Sequence, residues 1–320
     1  VPSLAGPPAL AIGTAFSPPM AAGDIGRAAH IEQVAETVRA AMRDARITRP
    51  EDVHFVQVKA PCLTMARIAE AAARGETVVT TDPGRSMALA RAAGAFGVAL
   101  ALGDRNNAEE TGLLSDFAIQ CDRASISSGV EVIANEVIVL GESTASSGPL
   151  GIAHRPMSDA LDIAAVAGAL ADLGIAACPQ VGAPDRALIR GVLVKGEPDR
   201  RGHIGPFRHT MLDDTDINAQ RHIRAALGGL VAGVIGDTRI FVSGGAEHQG
   251  PDGGGLIAVR PAAGSFSRPW RGNRRAGRSR SRPAGTWPGS PWPGRPASPA
   301  SADPRRARPG RASWCGSGRD

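Results

Sequence analysis

Apolar positions follow two periods along most of this chain. Leu10-Ala11-Ile12-Gly13-Thr14-Ala15-Phe16 is a short apolar run closed by Ser17-Pro18-Pro19, which predicts a strand. After Asp24, a candidate N-cap, Ile31, Val34, Val38 and Met42 recur at helical spacing and predict an amphipathic helix. Val53-His54-Phe55-Val56-Gln57-Val58-Lys59-Ala60-Pro61 then reads as a buried strand ending in lysine. A helix is predicted from Met65 to Ala69, a short strand over Thr77-Val78-Val79-Thr80, a long Ala-rich helix from Ser86 to Leu102, and a strand from Val132 to Leu140.

From Gly148 the order begins again. Asp162-Ile163, Val166 and Leu170 replay the amphipathic helix, and Leu188 to Lys195 replays the lysine strand. The stretch from Arg91 to Asp104 lies without a gap over Arg224 to Asp237, and both ends are identical. Ser127-Ser128-Gly129-Val130-Glu131 resembles Ser243-Gly244-Gly245-Ala246-Glu247. Each half thus offers Lys, Arg and Ser-x-Gly-x-Glu in one order, the pattern of homologous units that share a core. The predicted units are residues 1–147 and 148–259.

Composition separates a third segment. Residues 261–320 hold all four Trp and thirteen Arg against two Asp, amid dense Pro, Gly and Ser with neither period. They are predicted to be a disordered tail from residue 260 onward. The tail carries +11, so the formal +5 of the whole chain leaves −6 on residues 1–260, and the body offers no electrostatic case for nucleic acid. Cys62, Cys121, Cys178 and Cys315 form no C-x-x-C pair and suit reduced thiols in a cytoplasmic protein. No apolar run of about 20 residues predicts a membrane span.

The chemistry begins with lysine. Lys59 and Lys195 are the only two lysines in the chain, in matching strand-end contexts. Lysine can lose its proton when desolvated and serve as a base, which arginine cannot. A serine hydroxyl needs such a base to become a nucleophile, and a glycine-containing turn can present N–H groups to an oxyanion. This points to acyl transfer by a Ser–Lys dyad, with Ser127 and Lys59 as first choice. The competing reading makes the glycines turn residues and the arginines a solvated helix face. Asp213-Asp214-Thr215-Asp216 could bind a divalent cation, but such an acidic loop is more often solvent-facing or a helix N-cap. His209, His222 and His248 lack the spacing of a zinc site. Gly250-Pro251-Asp252-Gly253-Gly254-Gly255 has no following Lys-Ser/Thr, so a carbonyl-rich metal loop fits it better than a nucleotide loop.

Phe55-Val56-Gln57-Val58-Lys59, Arg208-His209-Thr210-Met211-Leu212-Asp213-Asp214 and Val242-Ser243-Gly244-Gly245-Ala246-Glu247-His248-Gln249-Gly250-Pro251 resemble segments of the cyanuric acid amidohydrolase/barbiturase family of ring-opening amidohydrolases. The resemblance covers residues 8 to 259. It implies an α/β fold, a pseudo-three-fold barrel of homologous αβ domains, here with only the second and third repeats. It implies Lys59 as general base and Ser127 as nucleophile. Arg91, Ser128, Lys195, Arg224, Ser243 and Gly244 would contact a small cyclic imide or amide substrate. It also implies a structural magnesium at Glu197, Ala246, Gln249, Gly250, Pro251 and Gly254, no organic cofactor, and a homotetramer. Residues 261–320 then read as out-of-frame sequence. The alternatives are an inactive truncated remnant and, ranked last, a nucleic-acid binder acting through the basic tail.

Overall fold

The computed structural model describes residues 8–208 and 218–262. The Asp213 to Asp216 loop, His209, Cys315 and the basic tail lie outside the described residues. In chain order the elements are β1 (Ala9–Phe16), α1 (Ala28–Asp44), β2 (Val53–Pro61), α2 (Met65–Ala73), α3 (Pro83–Leu102), β3 (Ala124–Gly129), β4 (Glu136–Ser143), β5 (Ala153–Met157), α4 (Ile163–Asp172) and α5 (Ala183–Arg186). They continue with β6 (Ile189–Gly196), β7 (His203–Ile204), β8 (Phe207–Arg208), α6 (Ala219–Ile235), β9 (Phe241–Ser243) and β10 (Gly255–Pro261).

Two four-stranded mixed sheets organise the chain, ordered β1-β4-β2-β3 and β5-β10-β6-β9. In each, the lysine strand runs antiparallel to its central neighbour and parallel to the serine strand. Among the described residues neither sheet closes into a barrel. Each packs one face under its own helices. Val34, Val38, Val56, Val58, Ile126 and Val139 belong to the first core, and Val166, Leu170, Val194, Ile223, Leu227 and Ile257 to the second. Burying each such side chain contributes about 1.5–3 kcal/mol. A smaller cluster of Phe55, Leu140, Ile152, Leu256 and Ala258 joins the opposite faces of the two sheets. Farther along that face of the first sheet, Ile12 is 51% and Phe16 73% exposed.

The helix ends follow local chemistry. Asp82 caps α3 by accepting from Gly84 N–H at 2.8 Å, Pro83 occupies the first turn, and Gly103 ends the helix in the left-handed region. In α3, Gly97 permits close approach to α1, since a Cβ there would lie 2.7 Å from the Ile31 carbonyl oxygen. By length and hydropathy α3 could cross a membrane, but 67% of that stretch is buried inside the fold, so it is a core helix.

Three local expectations change. Thr77 to Thr80 form no strand; Val78 and Val79 pack against the first core without a neighbouring strand to bond. The strand expected from Val132 begins at Glu136, because residues 130–135 are spent turning the chain back. Asp24 lies in a short 3₁₀ turn, and Arg27 stands at the N-cap of α1 without a side-chain bond.

Candidate active site

Strand alternation decides which groups can meet. In β2, Val56 and Val58 enter the core beneath the helices, so Lys59 emerges on the other face. Parallel pairing sets Lys59 opposite Ser127 and Ala60 opposite Ser128, while in the second sheet it sets Lys195 opposite Ser243. Ser127, Ser128 and Gly129, expected in a turn, are the end of β3. Serine and lysine are thus brought together by two strands in each sheet, from positions 68 residues apart in the first and 48 in the second.

The two lysines differ in their surroundings. The Lys59 side chain is 27% exposed and its Nζ lies 2.5 Å from the carboxylate of exposed Glu131, which that hydrogen bond holds below the usual range. Lys195 is fully buried and donates to the carbonyl oxygens of Ile126 at 2.7 Å and Gly244 at 2.8 Å. Its third contact is Ser243 Oγ at 3.1 Å. Burial brings the Lys195 amine down to about 7, against the pull of Glu247 and with the help of Arg91. A neutral amine has two N–H groups and one lone pair. With both N–H groups spent on carbonyls, which only accept, the lone pair is left for the Ser243 hydroxyl.

Arg91 on α3 reaches across to Glu247, in the loop between β9 and β10. Its Nε and Nη2 hold both oxygens of Glu247 at 2.7 and 2.6 Å, and Nη1 donates to Ser128 Oγ at 3.4 Å. Burial opposes ionisation of Glu247, but the Arg91 bonds outweigh it and keep the carboxyl below its ordinary value. Ser128 in turn donates to the Met87 carbonyl at 2.9 Å. Arg224 does not mirror Arg91: it is exposed and its Nε donates to Gln220 O of its own helix at 3.1 Å. Gly244 packs under Gln220, whose side-chain oxygen accepts from Gly245 N–H at 2.7 Å.

Residues 245–254 make a tight loop beside these groups. Gly250 has φ +84°, and a Cβ on Gly254 would lie 1.9 Å from the Met157 carbonyl oxygen, so neither place tolerates a side chain. The loop's Ala246 N–H donates to buried Glu197 at 3.1 Å, and Arg200 pairs with the other Glu197 oxygen. Burial and then the nearby Glu247 push the Glu197 carboxyl up to about 7. Carboxylate and carbonyl oxygens here are the hard donors that suit a magnesium-like ion. No three His, Cys, Asp or Glu side chains among the described residues form a metal cluster, so such an ion would rest mainly on carbonyls of Ala246, Gly250, Pro251 and Gly254. The Gln249 side-chain oxygen accepts from Ile126 N–H at 2.6 Å and keeps a second lone pair. The donor set therefore fits by type.

The family model described as "Amidohydrolase ring-opening protein" matches residues 3–260. The chain belongs to the ring-opening amidohydrolases. It is 50% identical to the cyanuric acid amidohydrolase of Azorhizobium caulinodans over 254 residues, 79% of this chain and 69% of that protein. A protein of the same name from Enterobacter cloacae is 43% identical over 252 residues, 78% of this chain and 68% of that one. The crystal structure of the A. caulinodans cyanuric acid hydrolase superposes with a TM-score of 0.73 at 49% identity, covering 80% of this chain and 72% of that chain. A second cyanuric acid hydrolase structure gives 0.75 at 42% identity, covering 82% and 71%.

Sequence reasoning did not single out several polar groups of this ring-opening amidohydrolase. Arg123 and Arg239 each stand four residues before a serine, and each pairs with the aspartate two residues beyond the repeated helix, Asp104 and Asp237. The shared Arg-x-x-x-Ser spacing was a readable signal. Glu247 was noted as part of a repeat but not as the partner of Arg91. His248 forms hydrogen bonds and ring contacts that its spacing did not announce.

Proposed function

We propose that this chain hydrolyses a cyclic amide, opening a ring such as cyanuric acid or barbiturate through a Ser–Lys dyad. One observation carries the reading: in both sheets a lysine and a serine are register partners on adjacent parallel strands. The family resemblance favours Lys59 with Ser127. The unprotonated amine takes the serine proton, the alkoxide attacks a ring carbonyl, and the carbon–nitrogen bond breaks as the leaving nitrogen takes the proton from the ammonium. Water then adds to the acyl-serine, its proton passes through the lysine, and the serine is released. Lys59 Nζ lies against Glu131, so this role requires the amine to leave that carboxylate. Arg91 and Ser128, which lie on the α3 side of the sheet, would meet ring carbonyls at the end of β3. A magnesium-like ion in the 245–254 loop would stiffen that loop and neutralise Glu197.

A second assignment rests on its own observation. Lys195 and Ser243 already stand at hydrogen-bond distance, and the amine is brought down to about 7. Turnover of either ring by Ser127→Ala and by Ser243→Ala discriminates between them: loss in one variant alone names the nucleophile. Full activity in both removes the dyad.

The like strand order of the two sheets, with Ile12 and Phe16 exposed on one face, supports placing them as two units of a pseudo-three-fold arrangement.

A further inference from the structure

Between α6 and β9 the second unit needs only residues 236–240, whereas the first uses residues 103–123 between α3 and β3. The extra segment, 105–122, contains turns but no helix or strand. One residue of the other unit holds much of it. His248 Nδ1–H donates to the Ile119 carbonyl at 2.7 Å, and Nε2 accepts from Leu114 N–H at 3.0 Å. The backbone ties are reciprocal: Cys121 N–H donates to His248 O at 2.9 Å, and Gly250 N–H donates to Cys121 O at 3.0 Å. Phe117 stacks on the imidazole with ring centroids 4.8 Å apart, and the Arg200 guanidinium covers the far side of Phe117 at 3.6 Å.

The backbone carries a second sign of constraint. Three non-glycine residues among those described have positive φ, and two of them, Leu114 and His248, are hydrogen-bonded to each other. Such conformations persist where surrounding contacts over-determine them, often at functional sites. Next to His248, the Glu247 side chain leads away to Arg91. We propose that segment 105–122 is a clip that grips His248 and thereby holds Glu247 against Arg91, fixing the guanidinium that faces Ser128. His248 and Phe117 are then positioning residues. The inference rests on the ring-opening reading only in assigning Arg91 to the ligand.

The test follows Arg91 directly. Phenylglyoxal labelling of the full chain, mapped by peptide mass spectrometry, is compared between the parent protein, Phe117→Ala and Phe117→Tyr. The clip predicts that Phe117→Ala raises Arg91 labelling and the KM for the ring about five-fold, with kcat within about two-fold, and that Phe117→Tyr restores both. Phe117→Leu replaces Phe117→Ala if the latter does not fold. Unchanged Arg91 labelling together with faster hydrogen exchange at Leu114 and Cys121 would overturn the inference. If no ring is turned over or bound while labelling still responds to Phe117→Ala, the ring-opening reading falls and the clip stands.

Discussion

Lys59 and Lys195 occupy equivalent places in two sheets of one strand order, each opposite a serine, yet they present different chemistry. Lys59 opens toward solvent and is drawn onto Glu131, whereas Lys195 is roofed by Ile126 and Gly244 and touches its serine. Backbone register brings the groups together, but the cover over each face decides what else the amine touches. A repeat read from sequence therefore specifies position better than partners.

The largest expected effect belongs to the serine pair. The variant lacking the nucleophile should lose at least about 10³-fold in kcat, and the other should lose mainly ring affinity, measured by ring-opening kinetics. Next in size is stability. Lys195→Ala leaves the buried Ile126 carbonyl without its lysine donor and Gly244 O with only the long bond from Ser243 at 3.4 Å, and should cost on the order of 2 kcal/mol in urea unfolding, against at most about 1 kcal/mol for Lys59→Ala.

A third test concerns the junction of the sheets, where His54 Nδ1 and His154 Nδ1 meet at 2.9 Å. Burial first, with neighbouring positive groups, lowers each to about 3. The neutral pair is thus favoured in the folded state. Its contribution is fully present above the unfolded value of about 6.5 and is lost as pH falls toward 3, on the order of a few kcal/mol. Urea midpoints should drop between pH 7 and 4, and less steeply in His54→Gln. Glu142 works in the opposite direction, because burial and then Asp52 raise it to about 8. Its contribution is lost as pH rises from about 4.5 through 8, so Glu142→Gln should flatten the alkaline limb of the same curve. The smallest effect belongs to Glu131→Gln, which removes an exposed ion pair and should shift stability by less than about 1 kcal/mol.

Much of the fold was legible because periodicity is written locally. Ile31, Val34, Val38 and Met42 are buried on α1 as spaced, and the lysine strands lie where their apolar runs placed them. Val78 and Val79 misled because β-branched residues serve a core as well as a ladder. Within the candidate site, residue types were legible and partnerships were not. The Arg91–Glu247 pair joins residues 156 apart, and the exposure that separates Lys59 from Lys195 belongs to no local pattern.

The matching aspartate–arginine pairs carry a consequence for redesign. Asp104 with Arg123 closes a long excursion, and Asp237 with Arg239, at 2.6 Å, closes a two-residue step. The same fastening thus tolerates very different lengths of chain, as the slow growth of loop-closure entropy allows. It makes this corner an insertion port: a recognition loop could be spliced between Asp237 and Arg239, or the natural one trimmed, with both ends already held at the mouth of a serine strand.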